Sequence, residues 1–253
     1  MRILKGIIFV YICIGAFLYF FQRSFIYSPT PAIDHPYTEV AYRFDNANVR
    51  VIILNKGNKK AILYFGGNGE AVEYNAPAFK KLFKNHTIYL VKYRGYGGST
   101  GEPSEKNLYS DALNIFDDIK RKHTEITVIG RSLGSGISTY VSSKRNIKNL
   151  VLVTPYDSIE SIAQEKYPIY PMFILLKDKY NSIGRANLIK ANTLLLVAEN
   201  DQTIKKSHSI KLANAFKKIT PKVVVITNAG HNTISNSRKY NEVLSKFVNT
   251  GSI

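Results

Sequence analysis

Near the middle of the chain stands the stretch Ile129-Gly130-Arg131-Ser132-Leu133-Gly134-Ser135-Gly136. It follows an apolar β-branched run and opens a segment with helical spacing, so Ser132 is predicted to sit on a tight turn between a strand and a helix. Gly130 and Gly134 suit that turn because a sharp bend leaves no room for side chains two residues on either side. The pattern Gly-x-Ser-x-Gly is typical of a nucleophile elbow, but Gly and Ser are common, so its weight depends on the rest of the chain.

Apolar runs of strand length recur on both sides of this stretch. The segments between them have helical spacing, as in 71–83 and 105–121, or turn residues, as in 45–48. Strands that alternate with helices of about ten to fifteen residues specify a mostly parallel sheet with helices on both faces. The sequence therefore predicts an α/β protein. Its predicted strands are 40–44, 49–54, 61–65, 88–91, 126–129, 150–153, 194–197 and 223–226.

The N-terminal residues 1–24 are predicted to form a membrane anchor. The sixteen residues Gly6–Phe21 carry no charge. This run is shorter than the ~20 residues that cross a bilayer, but Lys5 and Arg23 can extend their side chains to the head groups. A cleaved signal peptide is the alternative, although no small-residue cleavage site follows and the aromatic end suits a membrane interface. The basic N-terminus favours a body on the extracytoplasmic side.

Residues 25–38 contain three prolines and are predicted to form a stiff linker that carries the body clear of the head groups. The α/β domain then covers 39–253, with a lid-like insertion at about 154–192. This insertion is rich in Tyr and Pro and is expected over the carboxyl ends of the strands, where open α/β sheets bind ligands. Tyr156, Tyr170 and Phe173 are its predicted substrate-binding residues. Alternatively, Phe173 and its apolar neighbours form a packed surface helix.

The charge of the chain is strongly basic, with 35 Lys and Arg against 18 Asp and Glu and a net charge of +17. Such a charge could attract anionic lipid or nucleic acid, but the basic residues are spread along the chain, which favours simple solubility. No nucleic-acid-binding motif is found, so no specific nucleic acid is expected as a partner. The single cysteine, Cys13, excludes an intrachain disulfide. The oligomeric state is not predicted.

Three residues fit the requirements of a serine nucleophile. The hydroxyl needs a neutral imidazole to take its proton, and the imidazole needs a carboxylate to orient it. In a sheet with this elbow, the acid and then the histidine follow the serine on loops after later strands. Asp201 comes four residues after the strand 194–197, and His231 comes five residues after the strand 223–226. Ser132, Asp201 and His231 are therefore the predicted catalytic residues.

Other histidines and acids fit this order less well. His35, His86 and His123 precede the elbow and stand among polar residues, so they are predicted to lie on the surface. His208 is placed on a helix leading away from the site and is predicted to be solvated. Asp157 follows the strand after the elbow and remains an alternative for the acid that orients the histidine.

An oxyanion requires two preorganised backbone N–H groups. Leu133, the residue after the nucleophile, is expected to supply one, aided by the positive N-terminus of its helix. The second is expected from Asn68 in the glycine-rich loop 66–69, because that loop follows a strand one strand-helix-strand-helix unit before the elbow. A plain glycine turn is the alternative reading of this loop.

Several stretches together resemble the α/β-hydrolase superfamily. They are Tyr93–Glu105, Gly130–Gly134, Thr154–Ser158 and Gly230–Asn232. The chain looks most similar to the membrane-anchored branch, which includes fission-yeast cell-polarity hydrolases, bacterial counterparts and protein depalmitoylases, over nearly everything from Phe25 onward. The resemblance implies the α/β-hydrolase fold and serine hydrolase activity, with Ser132, Asp201 and His231 as the triad. The chain departs from the family's frequent His-Gly pair, having Gly66-Gly67 in its place.

These residues predict a serine hydrolase that cleaves small-molecule or lipid-like carboxylic esters or acyl thioesters through an acyl-enzyme. The protein is expected to associate with a membrane through its N-terminal helix. A non-catalytic membrane-bound scaffold or a protein that binds anionic surfaces is the alternative on the same fold. No metal-ligand spacing or phosphate-binding loop is found in the sequence, so no cofactor and no metal are expected.

Overall fold

The computed structural model describes residues 1–44 and 46–253, and within them eight strands form one sheet. The strands are β1 (Thr38–Phe44), β2 (Ala47–Leu54), β3 (Lys60–Phe65), β4 (His86–Val91), β5 (Glu125–Arg131), β6 (Asn149–Val153), β7 (Asn192–Ala198) and β8 (Lys222–Ile226). They lie in the order β1-β2-β4-β3-β5-β6-β7-β8. The pairs β1–β2 and β2–β4 are antiparallel, and the other five are parallel. The predicted mostly parallel α/β fold is confirmed.

Helices cover both faces of this sheet. They are α1 (Arg2–Ile26), α2 (Ala76–Leu82), α3 (Glu105–Lys120), α4 (Leu133–Lys144), α5 (Ile159–Lys166), α6 (Met172–Leu175), α7 (Ile183–Ala186), α8 (Lys206–Asn214) and α9 (Arg238–Thr250), with 3₁₀ turns at Val72–Asn75 and Ile234–Asn236. Successive residues of a strand point to opposite faces, so the buried side chains form two apolar clusters. Leu63 and Val128 belong to one cluster, and Ile62 and Ile129 belong to the other.

Parallel pairing brings the carboxyl ends of β3, β5, β6, β7 and β8 to one edge of the sheet. Ser132 directly follows β5, while Asp201 and His231 lie on the loops after β7 and β8. The residues between β6 and β7, 154–191, contain the short helices α5, α6 and α7, and we call them the cap.

The helix α1 contains the N-terminal apolar run and is long and apolar enough to be a candidate membrane span. It contacts the cap at two levels. The Gln22 side-chain amide donates to the Leu175 carbonyl at 3.0 Å and accepts from the Lys177 N–H at 2.6 Å. Farther along the helix, the Tyr11 hydroxyl donates to the Ile169 carbonyl at 2.8 Å.

Residues 27–37 lie on the body, in contrast to the spacer expected from their prolines. Tyr27 is buried, and its hydroxyl lies 2.8 Å from that of Tyr180. The Ser28 N–H donates to the Tyr96 hydroxyl at 2.9 Å, and the Thr30 carbonyl accepts from the Gly97 N–H. Composition predicts a stiff segment, but it does not indicate whether the segment has a surface to pack on.

The prediction that His86 and His123 lie on the surface is wrong, since they are only 3% and 9% exposed. His123 lies 2.8 Å from the Tyr89 hydroxyl and 2.9 Å from the Asn58 carbonyl oxygen. Burial lowers the pKa of both imidazoles. The turn predicted at 45–48 begins at Asp45, which lies outside the described residues, and β2 already begins at Ala47.

Candidate active site

Ser132 occupies a strained backbone position between β5 and α4. Its φ of 49° and ψ of −116° are rarely adopted by a residue with a side chain. The Ser132 N–H donates to the Val153 carbonyl at 2.9 Å, which fixes the turn against the neighbouring strand. A Cβ at Gly134 would overlap the Phe65 carbonyl oxygen, and one at Gly130 would overlap the Gly134 carbonyl oxygen. Both glycines are therefore required for α4 to approach the sheet this closely.

The structure brings together Ser132, His231 and Asp201. The Ser132 hydroxyl lies 2.9 Å from His231 Nε2, and His231 Nδ1 lies 2.7 Å from Asp201 Oδ2. The second carboxylate oxygen of Asp201 accepts from the backbone N–H groups of Thr203 and Ile204, at 2.9 and 2.7 Å. These two backbone bonds fix the direction of the carboxylate, and the carboxylate fixes the ring.

This arrangement can transfer a proton from a hydroxyl. The ionised Asp201 only accepts, so the hydrogen it shares with His231 belongs to Nδ1. The lone pair of Nε2 then faces the Ser132 hydroxyl. The Asp201 side chain is 2% exposed and that of His231 is 10% exposed, so little water competes for these bonds.

The structure brings the two residues predicted to bind an oxyanion to the cavity at Ser132. Leu133 and Asn68 both line the cavity at Ser132. Among the described residues, none accepts a hydrogen bond from the backbone N–H of either one. The Asn68 side chain is held by the Ser28 N–H and the Tyr96 hydroxyl, which donate to its Oδ1 at 2.8 and 2.7 Å. The loop that carries Asn68 is therefore fixed from its far side.

Glu70 and Arg131 stabilise this loop and were missed in the sequence. Glu70 accepts from the Gly67 N–H at 2.7 Å and from Arg131 at 3.2 Å. Burial lowers the pKa of the Arg131 guanidinium, but the neighbouring Glu70 carboxylate outweighs it, so the pKa is raised on balance. Arg131 also donates to the His231 carbonyl at 3.4 Å. The only sequence signal was an acid just after the glycine-rich loop and a base beside the serine.

The Ser132 side chain opens into an apolar cavity of about 380 Å³. Its walls come from three parts of the chain: the end of α1, the helix α5, and the segment around α6. Representative lining residues are Leu18 and Phe25 from α1, Ile159 and Ile162 from α5, and Met172 and Leu176 beside α6. A cavity of this size and polarity suits an acyl chain.

Of the three predicted substrate-binding residues, the structure brings one to this cavity. Tyr156 lines it, is fully buried and donates from its hydroxyl to the Leu133 carbonyl at 3.1 Å. Tyr170 instead stacks on Tyr11, with ring centroids 4.6 Å apart. Phe173 is 60% exposed and faces a different surface hollow. Its helix α6 is only one turn long, so helical spacing could not indicate which side faces Ser132.

Asp157, the alternative orienting acid, pairs with a different histidine. His208 was predicted to be solvated, but it is 7% exposed, and this prediction is wrong. Its Nδ1 lies 2.8 Å from Asp157 and its Nε2 lies 3.0 Å from Glu165 of the cap. Burial raises the pKa of Asp157, but hydrogen bonds from Lys211 and His208 outweigh it, so the pKa is lowered on balance.

No group of three or more His, Cys, Asp and Glu side chains within residues 1–44 and 46–253 is arranged to hold a metal ion. The polar atoms around Ser132 are instead those of an imidazole, a carboxylate and backbone amides.

Comparison with known proteins agrees with this fold. A family model described as the alpha/beta hydrolase fold matches residues 60–169. An uncharacterized protein of Mycobacterium tuberculosis is 31% identical over 150 residues, 58% of this chain and 53% of that protein. An uncharacterized membrane protein of Saccharomyces cerevisiae is 27% identical over 207 residues, 78% of this chain and 73% of that protein.

Among solved structures, an esterase of Pyrococcus furiosus superposes with a TM-score of 0.69 at 17% identity, covering 88% of this chain and 98% of the esterase. At that identity the likeness shows the fold alone. The chain spans about half the length of the mycobacterial relative. The family match over residues 60–169, the topology of the sheet and the strained serine turn agree with one another, and the chain has the α/β-hydrolase fold.

Proposed function

We propose that this protein is a membrane-anchored serine hydrolase that cleaves carboxylic esters or acyl thioesters through an acyl-enzyme. The observation that carries the proposal is the hydrogen-bonded chain from Ser132 through His231 to Asp201, with the serine held at a strained φ. A non-catalytic scaffold would have no need to keep a serine in a costly backbone position beside an oriented imidazole.

The reaction follows from these positions. Ser132 Oγ attacks the acyl carbonyl carbon while its proton passes to His231 Nε2. The negative oxygen of the tetrahedral intermediate lies against the N–H groups of Leu133 and Asn68. The intermediate breaks its bond to the alcohol or thiol, which leaves with the proton from His231, and the acyl group stays on Ser132.

Water completes the cycle. It attacks the acyl carbonyl as His231 takes its proton, and Ser132 leaves with that proton as the free acid forms. Asp201 keeps the imidazole in one orientation through both steps and stabilises its charged form. The apolar walls of the cavity favour an acyl group over a polar one.

We assign the membrane attachment to α1. Its most apolar window has no buried residues, as expected for a surface that meets lipid. The N-terminal amine, Arg2 and Lys5 favour a cytoplasmic N-terminus, which would place the body on the other side. Protease digestion of the body in sealed right-side-out vesicles tests this orientation.

Labelling with a fluorophosphonate probe tests the chemistry. The full chain in detergent micelles is expected to react, and Ser132→Ala is expected to lose both the label and the hydrolysis of p-nitrophenyl acetate. Ser143→Ala is the matched control, because Ser143 lies near the far end of α4, the helix that follows Ser132, and its hydroxyl bonds the Tyr140 carbonyl. Equal hydrolysis by the wild type and Ser132→Ala would refute the proposal.

A further inference from the structure

Besides α1, the chain has a second exposed apolar segment, and this one lies in the cap. The ten residues Tyr167–Leu176 carry no charge and stand between Lys166 and Lys177. We call them the cap tip. Three of its side chains, Ile169, Phe173 and Ile174, are 60 to 70% exposed. A cluster of exposed apolar side chains in one short segment is unusual for a surface that meets only water.

The cap tip lies beside the apolar middle of α1. The Tyr11 hydroxyl bonds the Ile169 carbonyl, the Tyr11 and Tyr170 rings stack, and the Tyr170 ring packs over Gly15. Tyr11 is about 22 Å along the helix axis from Ile26, at about 1.5 Å per residue. An anchor that enters lipid to the depth of Tyr11 therefore takes the cap tip into lipid with it.

Several backbone carbonyls of the cap tip are hydrogen-bonded within the protein, as lipid requires. Non-helical backbone tolerates lipid depth only where its polar groups are bonded within the protein. Pro168 and Pro171 have no N–H, and three side chains, two from α1 and one from α5, reach several of the carbonyls. These bonds run from Gln164 to the carbonyls of Pro168 (3.2 Å) and Tyr170 (3.0 Å), from Tyr11 to Ile169 (2.8 Å), and from Gln22 to Leu175 (3.0 Å).

The charges at the base of the cap tip complement a lipid surface. Lys166 and Lys177 are exposed and flank it in the sequence. Arg23, at the end of α1, is half exposed and pairs with Asp178, the residue that follows Lys177. Lys177 also lies over the Tyr19 ring, 4.1 Å from its centroid. Cations and an aromatic ring at the end of an apolar segment are typical of the head-group layer.

We propose that the cap tip enters the bilayer beside α1, so that the Ser132 cavity takes acyl chains directly from the lipid. This inference rests on the proposed function for the chemistry at Ser132. It adds the source of the substrate: a long acyl chain, esterified or in thioester linkage, whose carbonyl lies near the head groups. The walls of the cavity support this, because Leu18 and Phe25 belong to α1 and Met172 and Leu176 belong to the cap tip.

A single tryptophan can report the position of the cap tip, since the natural chain has none. The full chain is reconstituted in vesicles of equal parts phosphatidylcholine and phosphatidylglycerol, with and without bromine on the acyl chains. Ile174→Trp is expected to show blue-shifted fluorescence, and most of its fluorescence intensity is expected to be quenched in brominated lipid. Val223→Trp is the control, because Val223 is exposed at the amino end of β8, away from the Ser132 edge.

Phe9→Trp, in the exposed apolar face of α1, reports whether the anchor itself is inserted. Quenching of Phe9→Trp and Ile174→Trp together, without Val223→Trp, supports the proposal. Quenching of Phe9→Trp alone shows that the anchor is inserted while the cap tip stays outside the lipid, and this result overturns the proposal. Absence of quenching at Phe9 overturns it as well, because the cap tip then has no inserted helix beside it.

Hydrolysis gives a second, separate readout. Ile174→Glu is expected to slow palmitate release from vesicle-bound substrates about tenfold, because a carboxylate in lipid is costly. Its rate on soluble p-nitrophenyl acetate should not change, and Val223→Glu should change neither rate. Monopalmitoyl glycerol and an S-palmitoyl peptide on the same vesicles distinguish a lipid source of the acyl chain from a protein source.

Equal rates of Ile174→Glu and the wild type on both vesicle substrates would overturn the inference, while leaving the serine chemistry intact. Loss of the proposed function has a different signature: p-nitrophenyl acetate hydrolysis that does not depend on Ser132. The quenching experiment still reads the position of the cap tip in that case, since it requires no turnover.

Discussion

Two histidine–aspartate pairs lie near the carboxyl edge of the same sheet, and they differ in what faces the second ring nitrogen. In the first, His231 bonds Asp201 at 2.7 Å and faces the Ser132 hydroxyl at 2.9 Å. In the second, His208 bonds Asp157 at 2.8 Å and faces the Glu165 carboxylate at 3.0 Å. The hydrogen-bond distances of the two pairs are nearly the same, so distance alone does not distinguish them.

The two pairs differ in whether Nε2 of the imidazole faces a group that can give it a proton. A hydroxyl opposite Nε2 can give up a proton and become a nucleophile. A carboxylate at the same place leaves both nitrogens of His208 occupied, so neither is free to accept a proton from a hydroxyl. The second pair therefore joins α8 to the cap, where Glu165 lies in the last turn of the helix α5, and it acts as a structural contact.

Removal of each imidazole should separate the two pairs most clearly. His231→Ala is expected to lower kcat/KM for p-nitrophenyl acetate by about four to six orders of magnitude, as for other residues that act as one unit with a serine nucleophile. His208→Ala should retain the wild-type value, because its ring does not reach Ser132. Comparable losses in steady-state assays of the two variants would contradict the distinction.

Substitution of each acid should sharpen the comparison with a smaller effect. Asp201→Asn is expected to lower kcat by about 10⁴-fold, because an amide can hold the ring in the wrong tautomer. Asp157→Asn is expected to leave kcat unchanged. If Asp157→Asn were the slower enzyme, the assignment of the orienting acid would be reversed.

Stability should follow the opposite ranking. His208→Ala leaves Asp157, which is 1% exposed, without one of its partners and is expected to lower the free energy of unfolding by about 3 kcal/mol. His231→Ala should cost less, because Asp201 keeps its bonds to the N–H groups of Thr203 and Ile204. Urea denaturation of the full chain in micelles, followed by circular dichroism, measures both variants.

Acid should reduce the contribution of Asp157. Its pKa is lowered in the folded protein, so its stabilisation is fully present above the unfolded pKa of about 3.9 and is lost as the pH falls through the lower folded value. The stability difference between the wild type and Asp157→Asn should therefore be constant near neutral pH and shrink below about pH 4. A difference that grows on acidification would show that Lys211 and His208 do not favour the ionised carboxyl.

The sequence predicted the sheet because its parallel strands are buried on both faces and read as continuous apolar runs. It predicted Ser132, Asp201 and His231 as one set because each follows a strand in the order that the fold requires. The pairing of His208 with Asp157 was not predictable, since residues 51 positions apart leave no periodic signal when they meet. The contact between Glu70 and Arg131 was missed for the same reason.

Other failures concern surfaces. The polar neighbours of His86 and His123 indicated exposure, but tertiary packing decides burial, and both residues are buried. The short turns of the cap have no residue periodicity that shows which side chains face Ser132. Tyr170 and Phe173 were therefore predicted at the substrate site together with Tyr156. Only Tyr156 lies directly after a strand, where the register of the sheet fixes its position.

The two hydrogen bonds between the Gln22 side-chain amide and the cap have a practical consequence for enzymology. A variant that lacks residues 1–26, made to improve solubility, would lose this amide together with Leu18 and Phe25. The Leu175 carbonyl and the Lys177 N–H would then be left to water. The shortened protein would keep Ser132, His231 and Asp201 but present a wider, hydrated pocket. Acyl-chain preferences measured on it would therefore differ from those of the chain that retains α1.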